Sequence, residues 1–155
     1  MDRITRRAAR ILVLDHDDHL LLFHGFDPSD PSAGDWWFTP GGGLEGDESF
    51  VEAARRELAE ETGLQSGRLE ELPGERVAEF PFDGQLVTQT ERYFTVRVAR
   101  FEPVSDAWTD LEIRSTIELR WWGLDEFRAA DLRHFPADLV QRWAVASGLV
   151  PRVSD

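Results

Sequence analysis

The stretch from Gly42 to Leu64, GGLEGDESFVEAARRELAEETGL, fixes one helix and fills its last turns with acid. Ser49 followed three residues later by Glu52 is a capping-box pattern, and Gly63 supplies a left-handed stop, so the spacing predicts a helix between them. At about 100° per residue, Val51, Ala54 and Leu58 fall into one apolar stripe, while Ala53, Glu57, Glu60 and Glu61 fall into the neighbouring sector, facing a cleft. Like charges three and four residues apart repel by roughly 0.2–0.5 kcal/mol per pair. They also sit at the end of the helix where the macrodipole favours cations. A divalent cation held between them turns both penalties into attraction, which makes a hard-metal site, magnesium first, the leading functional expectation. Arg56 stands four residues from both Glu52 and Glu60, and relieves some of the crowding; an ordinary helix ion pair explains it equally well.

Length and composition bound the rest. A chain of 155 residues with 41% hydrophobic residues, 6 Trp and 10 Phe is expected to form one domain spanning 1–155 around a sizeable core. Its apolar runs are too short to cross a bilayer. With no cysteine, disulfides and thiolate metal sites drop out. The basic N-terminal segment leads into Ile11-Leu12-Val13-Leu14-Asp15, too short for a secretory signal, so the cytoplasm is the expected location. A net charge of −13 argues against long nucleic acid, which is held by Lys and Arg on its phosphates, yet it is compatible with a small phosphorylated substrate bridged by metal. All the Lys+Arg residues are arginine, so no catalytic lysine is available.

Strand-like segments alternate around the acidic helix. Ala8 to Asp15 and Leu20 to His24 read as a hairpin, and Trp36 to Thr39 as a short strand entering a glycine loop. Arg76 to Phe82, Leu86 to Ala99 and Ile117 to Trp122 are further strands, the first two joined by an Asp83-Gly84 turn. A short helix begins near Leu124, and another covers Ala137 to Ala146. Strands mixed with helices in this way predict a layered α/β sandwich. Gly41 to Gly46 also satisfies G-x-G-x-x-G, but Glu45, Asp47 and Glu48 would repel a dinucleotide pyrophosphate at that helix start. The glycines more simply permit a tight turn, with a carbonyl such as that of Gly42 free to join a metal shell.

Gly42, five residues, Glu48, seven residues, then Arg56-Glu57-Leu58-Ala59-Glu60-Glu61-Thr62-Gly63-Leu64 resembles the complete Nudix box, every fixed position being matched without a gap. The resemblance implies an α/β/α sandwich with a mixed central sheet. It implies a hydrolase of a diphosphate linkage in a nucleoside diphosphate joined to another group, or in a nucleoside triphosphate, using Mg2+ or Mn2+. Glu57 and Glu61 would be the principal ligands, Glu60 a further ligand or the base, and Glu48 the partner of Arg56. A homodimer is ordinary for such proteins. The chemistry fits: a phosphoanhydride is shielded by its own negative charge, so hydrolysis needs neutralisation, an activated water and a base. A Nudix-like sensor that binds a nucleotide or nucleotide-sugar without turnover is the alternative, disfavoured by the intact carboxylate set. A prenyl diphosphate isomerase on a related fold calls for a cysteine acid that is absent here.

Outside the box the candidates are weaker. Glu91 is a further carboxylate or base, or else a solvated strand residue; Glu112 and Glu118 are of the same kind. Strand alternation leaves only one of Trp36 and Trp37 free for a nucleobase, and Trp37 is assigned that stacking role. Arg92, and less so Arg97, is a candidate phosphate grip, although strand arginines are more often surface charges. His16, His19, His24 and His134 show no ligand spacing, and Trp121 and Trp122 read as packing.

Overall fold

The computed structural model describes residues 2–149. Its strands are β1 (Asp2–Leu14), β2 (Leu20–Phe26), β3 (Asp35–Phe38), β4 (Gly41–Gly43), β5 (Glu70–Phe82), β6 (Gln85–Arg97), β7 (Thr116–Trp122) and β8 (His134–Phe135). The helices are α1 (Phe50–Thr62), α2 (Asp110–Ser115), α3 (Leu124–Ala130) and α4 (Leu139–Ala146), with one 3₁₀ turn at Pro31–Ala33. The strands form one mixed sheet in the order β5-β6-β1-β2-β3-β8, with β4 also on β1 and β7 also on β2. Helices cover it on both sides, the expected α/β/α arrangement.

The parallel pairing of β1 with β6 is the spine, running from Asp2↔Gln85 to Leu14↔Arg97. Alternation along these two strands divides the molecule. Ala9, Ile11 and Val13 of β1, with Phe94 and Val96 of β6, pack on Ala53, Ala54 and Leu58 of α1. Leu12, Leu14 and Tyr93 point the other way, into a core shared with Trp37, Trp122, Phe127, Leu139 and Trp143. Both faces therefore bury apolar side chains, and β1 from Ile11 to Leu14 reads as an unbroken hydrophobic run. Asp83 and Gly84, both at positive φ, form the tight turn joining β5 to β6. None of the described helices is long and apolar enough to cross a membrane.

The expected central strands and box helix are present, whereas the expected N-terminal hairpin is closed only at Leu14↔Leu20, beyond which β1 pairs with β6 and β4, and β2 with β3 and β7. The sequence reading misses β4, β8, α2, the 3₁₀ turn and the first halves of β1 and β5. The apolar stripe of α1 is also displaced by one position. Val51 is 44% exposed, whereas Ala53, placed with the acids, is fully buried. In the first turn it is Phe50, not Val51, that packs against the core, followed by the buried Ala53, Ala54 and Leu58.

Candidate metal and substrate site

Both ends of α1 are closed as the sequence indicates. Ser49 accepts from the Glu52 amide and Glu52 returns the bond to Ser49, while Gly63 at φ 83° ends the helix with its amide on Ala59. Two further C-terminal carbonyls are met by the segment that follows β6: the Val104 amide donates to Thr62 at 3.0 Å, and the Trp108 indole donates to Glu61 at 2.8 Å. That segment carries α2 across the end of α1. Thr109 and Glu112 make a second capping box there, and Glu112 is brought to the acidic face.

One carboxylate oxygen each from Glu57, Glu61 and Glu112 lies within 4.8 Å of the others. Glu61 is 3% exposed, and one of its oxygens accepts from the Gly41 amide at 3.0 Å. Burial, then the neighbouring Glu57 and the charge of Glu112, hold its carboxyl well above the usual range. Burial and the charge of Glu57 also push Glu60 up. An all-oxygen set of three carboxylates, with the buried Glu61 at its centre, suits a hard divalent cation. The donor set thus fits magnesium or manganese. Gly42 belongs to the same construction: a Cβ there would stand 2.6 Å from the Glu57 Oε1, so only glycine lets β4 lie against that carboxylate.

Arg56 organises the outer side. Its guanidinium donates to Glu48 at 2.7 and 2.9 Å, to Glu57 at 2.8 Å, to Glu60 at 3.2 Å and to the Gly43 carbonyl at 2.9 Å. It is more than a helix ion pair, for it ties the loop to the helix and orients Glu57. The hydrogen bonds from Arg56 are the leading cause that holds Glu48 below the usual carboxylate range.

Glu61 and Glu112 open onto a cleft of about 310 Å³, which is also lined by Arg6, Arg10, Arg76 and Glu91 and by the rings of Trp36, Phe38, Phe80 and Phe135. Glu91 is inside the cleft but saturated. One oxygen accepts from Arg76 at 2.7 Å and Tyr93 at 3.1 Å, the other from Arg10 at 3.1 Å and Gln89 at 2.7 Å. Burial opposes its ionisation, but the charge of Arg10 and these donors win, and its pKa is lowered. A carboxylate whose lone pairs are all engaged is a poor base and a good scaffold. Arg10 also donates to the carbonyls of Thr39 and Gly41, so the glycine loop and Glu91 are braced by one side chain.

Two expected substrate contacts lie elsewhere. Trp37 is 5% exposed, stacked on His24 with ring centroids 4.3 Å apart and edge-on to Trp122 at 5.1 Å. Its neighbour Trp36 is the ring on the cleft. Arg92 sits on the α1 side of the sheet, 4.5 Å from the Phe50 ring centroid and 3.1 Å from Glu75. Because Glu91 faces the cleft, strand alternation turns Arg92 away from it. Arg97 pairs with Asp18 at 2.8 Å, and Glu118 is an exposed residue of β7. Arg10 and Arg76 were not singled out from the sequence, and no local spacing marks them. Glu112 had a signal in its Thr-x-x-Glu capping pattern, which announces a helix start.

A mixed sheet between helices, with a capped helix presenting clustered glutamates beside an arginine-bearing cleft, is an arrangement suited to a divalent cation and an anionic ligand. The NUDIX domain model matches residues 4–143, and the chain belongs to that family, as one of its pyrophosphohydrolases. No curated protein sequence matches it. Among solved structures it is similar to the MutT protein of Methanosarcina mazei Go1, with a TM-score of 0.65 and 21% identity over 96% of this chain and 97% of that one. It is similar to the mutator MutT protein of Bacillus halodurans, with a TM-score of 0.61 and 26% identity over 91% and 82%. The E. coli dihydroneopterin triphosphate pyrophosphohydrolase gives 0.65 and 17% over 91% and 95%.

Proposed function

We propose that this enzyme hydrolyses a phosphoanhydride bond in a nucleoside triphosphate, or in a nucleoside diphosphate carrying another group, with Mg2+ as its metal and Mn2+ as a substitute. The observation that carries this reading is the meeting of Glu57, Glu61 and Glu112 within 4.8 Å beside a cleft that is lined by arginines and aromatic rings. Glu57, Glu61 and Glu112 would hold the metal, with Glu60 and the Gly42 carbonyl as further donors. When bound, such an ion neutralises phosphate charge and activates water.

The chain's own residues supply the rest. Arg6, Arg10 and Arg76 offer guanidinium donors to the phosphate oxygens, and the aromatic rings of the cleft receive the nucleoside. Glu60 is the base in this reading: Arg56 engages its Oε2, and no described residue donates to its Oε1. Glu48 and Arg56 lock the loop to the helix, and Glu91 positions Arg10 and Arg76. The proposed setting is cytoplasmic, with a small nucleotide and not a long nucleic acid as partner.

The test is release of phosphorylated products from nucleoside triphosphates, nucleoside diphosphate sugars and dinucleoside polyphosphates, with and without magnesium. Metal-dependent turnover that Glu61→Gln abolishes is the expected outcome. Tight binding of one compound without turnover would move the weight to a sensor.

A further inference from the structure

The cleft holds two further charged groups, Asp27 and Arg133, that the hydrolytic reading does not use. Asp27, at the end of β2, is 5% exposed and lines the cleft. Its Oδ1 takes three donors: the Ser29 amide at 2.9 Å, the Ser29 hydroxyl at 2.8 Å and the Asp83 amide at 3.1 Å. No described residue donates to Oδ2. One oxygen of this carboxylate is saturated within the fold, and the other opens to the cleft with its lone pairs available to a ligand donor. Arg133 is the second group. Its guanidinium lies over Trp36 at 5.0 Å and Phe135 at 5.6 Å, and one nitrogen donates to the Ala33 carbonyl at 2.6 Å. Among the described residues it pairs with no carboxylate, and its planar fork is held at the cleft wall by the rings.

A flat ligand entering among Trp36, Phe38 and Phe135 therefore meets an acceptor in Asp27 and a fork of donors in Arg133. We propose that this part of the cleft selects a 6-oxopurine base, Arg133 donating to O6 and N7 and Asp27 Oδ2 accepting from N1–H. A guanidinium makes a bidentate contact with two adjacent acceptors, and O6 with N7 is the purine edge that offers them. The N1–H lies next along the ring, where a carboxylate is needed. Adenine inverts both contacts: its amino group presents hydrogens to Arg133, and its unprotonated N1 presents a lone pair to Asp27. Rejection comes from these mismatches as much as from the lost bonds. The inference rests on the nucleotide reading above and names the base within it.

Asp27→Asn is a discriminating variant. The amide keeps one carbonyl oxygen for Ser29 and Asp83, and replaces the free oxygen with a donor. The full chain with magnesium would be assayed on GTP, ITP and ATP. The expected result is a preference for GTP and ITP over ATP of roughly tenfold to a hundredfold in kcat/KM, which Asp27→Asn erases mainly through KM. Arg133→Lys keeps the charge without the fork and should erode the same preference, which carries the test if Asp27→Asn does not fold. Equal kinetics for all three nucleotides, or variants that slow all three alike, would overturn the proposal. If no nucleotide is turned over, calorimetric binding of GMP, IMP and AMP separates base reading from hydrolysis. Selective GMP and IMP binding lost in Asp27→Asn supports the proposal; absent or indifferent binding overturns it.

Discussion

Two arginine–glutamate networks meet at the cleft, joined through the Gly41 backbone, with opposite surpluses. At α1 a single guanidinium, Arg56, answers Glu48, Glu57 and Glu60, with Glu45 at 3.5 Å, and leaves Glu61 and Glu112 unneutralised. In the basic network a single carboxylate, Glu91, answers Arg10 and Arg76 together with Gln89 and Tyr93, and Arg6 stands beside them. Neither side is balanced internally. One is short of a cation and the other of an anion, and a phosphoanhydride that carries its own metal supplies both. The contrast explains why an acidic chain still handles an anionic substrate: overall charge governs long-range repulsion, whereas the cleft wall is locally basic.

Removing the lone carboxylate of the basic network should have the largest effect. Glu91→Ala leaves Arg10 and Arg76 without their partner, and breaking a buried pair in this way costs about 3–5 kcal/mol. Thermal melting should fall by several degrees, and Glu91→Gln, which keeps an acceptor, should fall less. The sign with pH follows from the depressed carboxyl of Glu91. Its stabilisation is fully present above the unfolded value near pH ~4.3 and is lost as pH falls through the lower folded value. Acid unfolding should therefore steepen below about pH 4.3 in the native chain and flatten in Glu91→Gln. A large loss of kcat in Glu91→Gln with unchanged melting would instead make Glu91 a base.

The acidic network responds in the opposite way. Glu57→Gln or Glu61→Gln should lower kcat at least about a hundredfold, near 2.7 kcal/mol of transition-state stabilisation, without lowering the melting temperature of the metal-free protein. Each removes a charge from a set that repels itself. Near-normal turnover in both would end the ligand assignment. Metal addition is the next sharpening. At a concentration 100-fold over its Kd, magnesium should stabilise the native chain by about 2.7 kcal/mol, read as a rise of some degrees in a thermal melt. Glu61→Gln should lose most of that rise, and Glu91→Gln should keep it.

The two networks also differ in how far the sequence discloses them. The acidic one is local: Glu48, Arg56, Glu57, Glu60 and Glu61 sit within one loop and one helix, so spacing and caps place them together. The basic one is assembled by pairing β1 with β6 in parallel, which brings Arg10 beside Tyr93 across more than eighty residues of chain. Nothing in a local window carries that register. The Asp2 to Arg7 half of β1 reads as a basic tail for the same reason, because its partner strand lies far along the chain. α2 has too few residues for helical periodicity and buries none of them, so only its capping box announces it. Trp37 and Arg92 fail differently. Alternation says that neighbours face opposite ways, but not which face is the cleft. Once Glu91 is placed there, Arg92 has to leave, and naming both asks one strand to present adjacent residues to the same side.

Trp36 gives the smallest expected effect and the finest test of the aromatic lining. Its ring faces the cleft beneath Arg133 and meets Phe135 edge-on at 6.0 Å, whereas Trp37 is sealed in the core. A ring of this kind contributes about 0.5–1.5 kcal/mol to a stacked or edge contact, so Trp36→Ala should raise KM for a nucleotide roughly 2–10-fold, with little change in kcat. Trp36→Phe should recover part of the loss, because a smaller ring still supports the guanidinium and the substrate. Steady-state kinetics on the nucleotide turned over fastest read this directly. A fall in kcat of the size expected for Glu61→Gln would mean that the aromatic lining shapes the acidic network, and that the two are coupled and not merely adjacent.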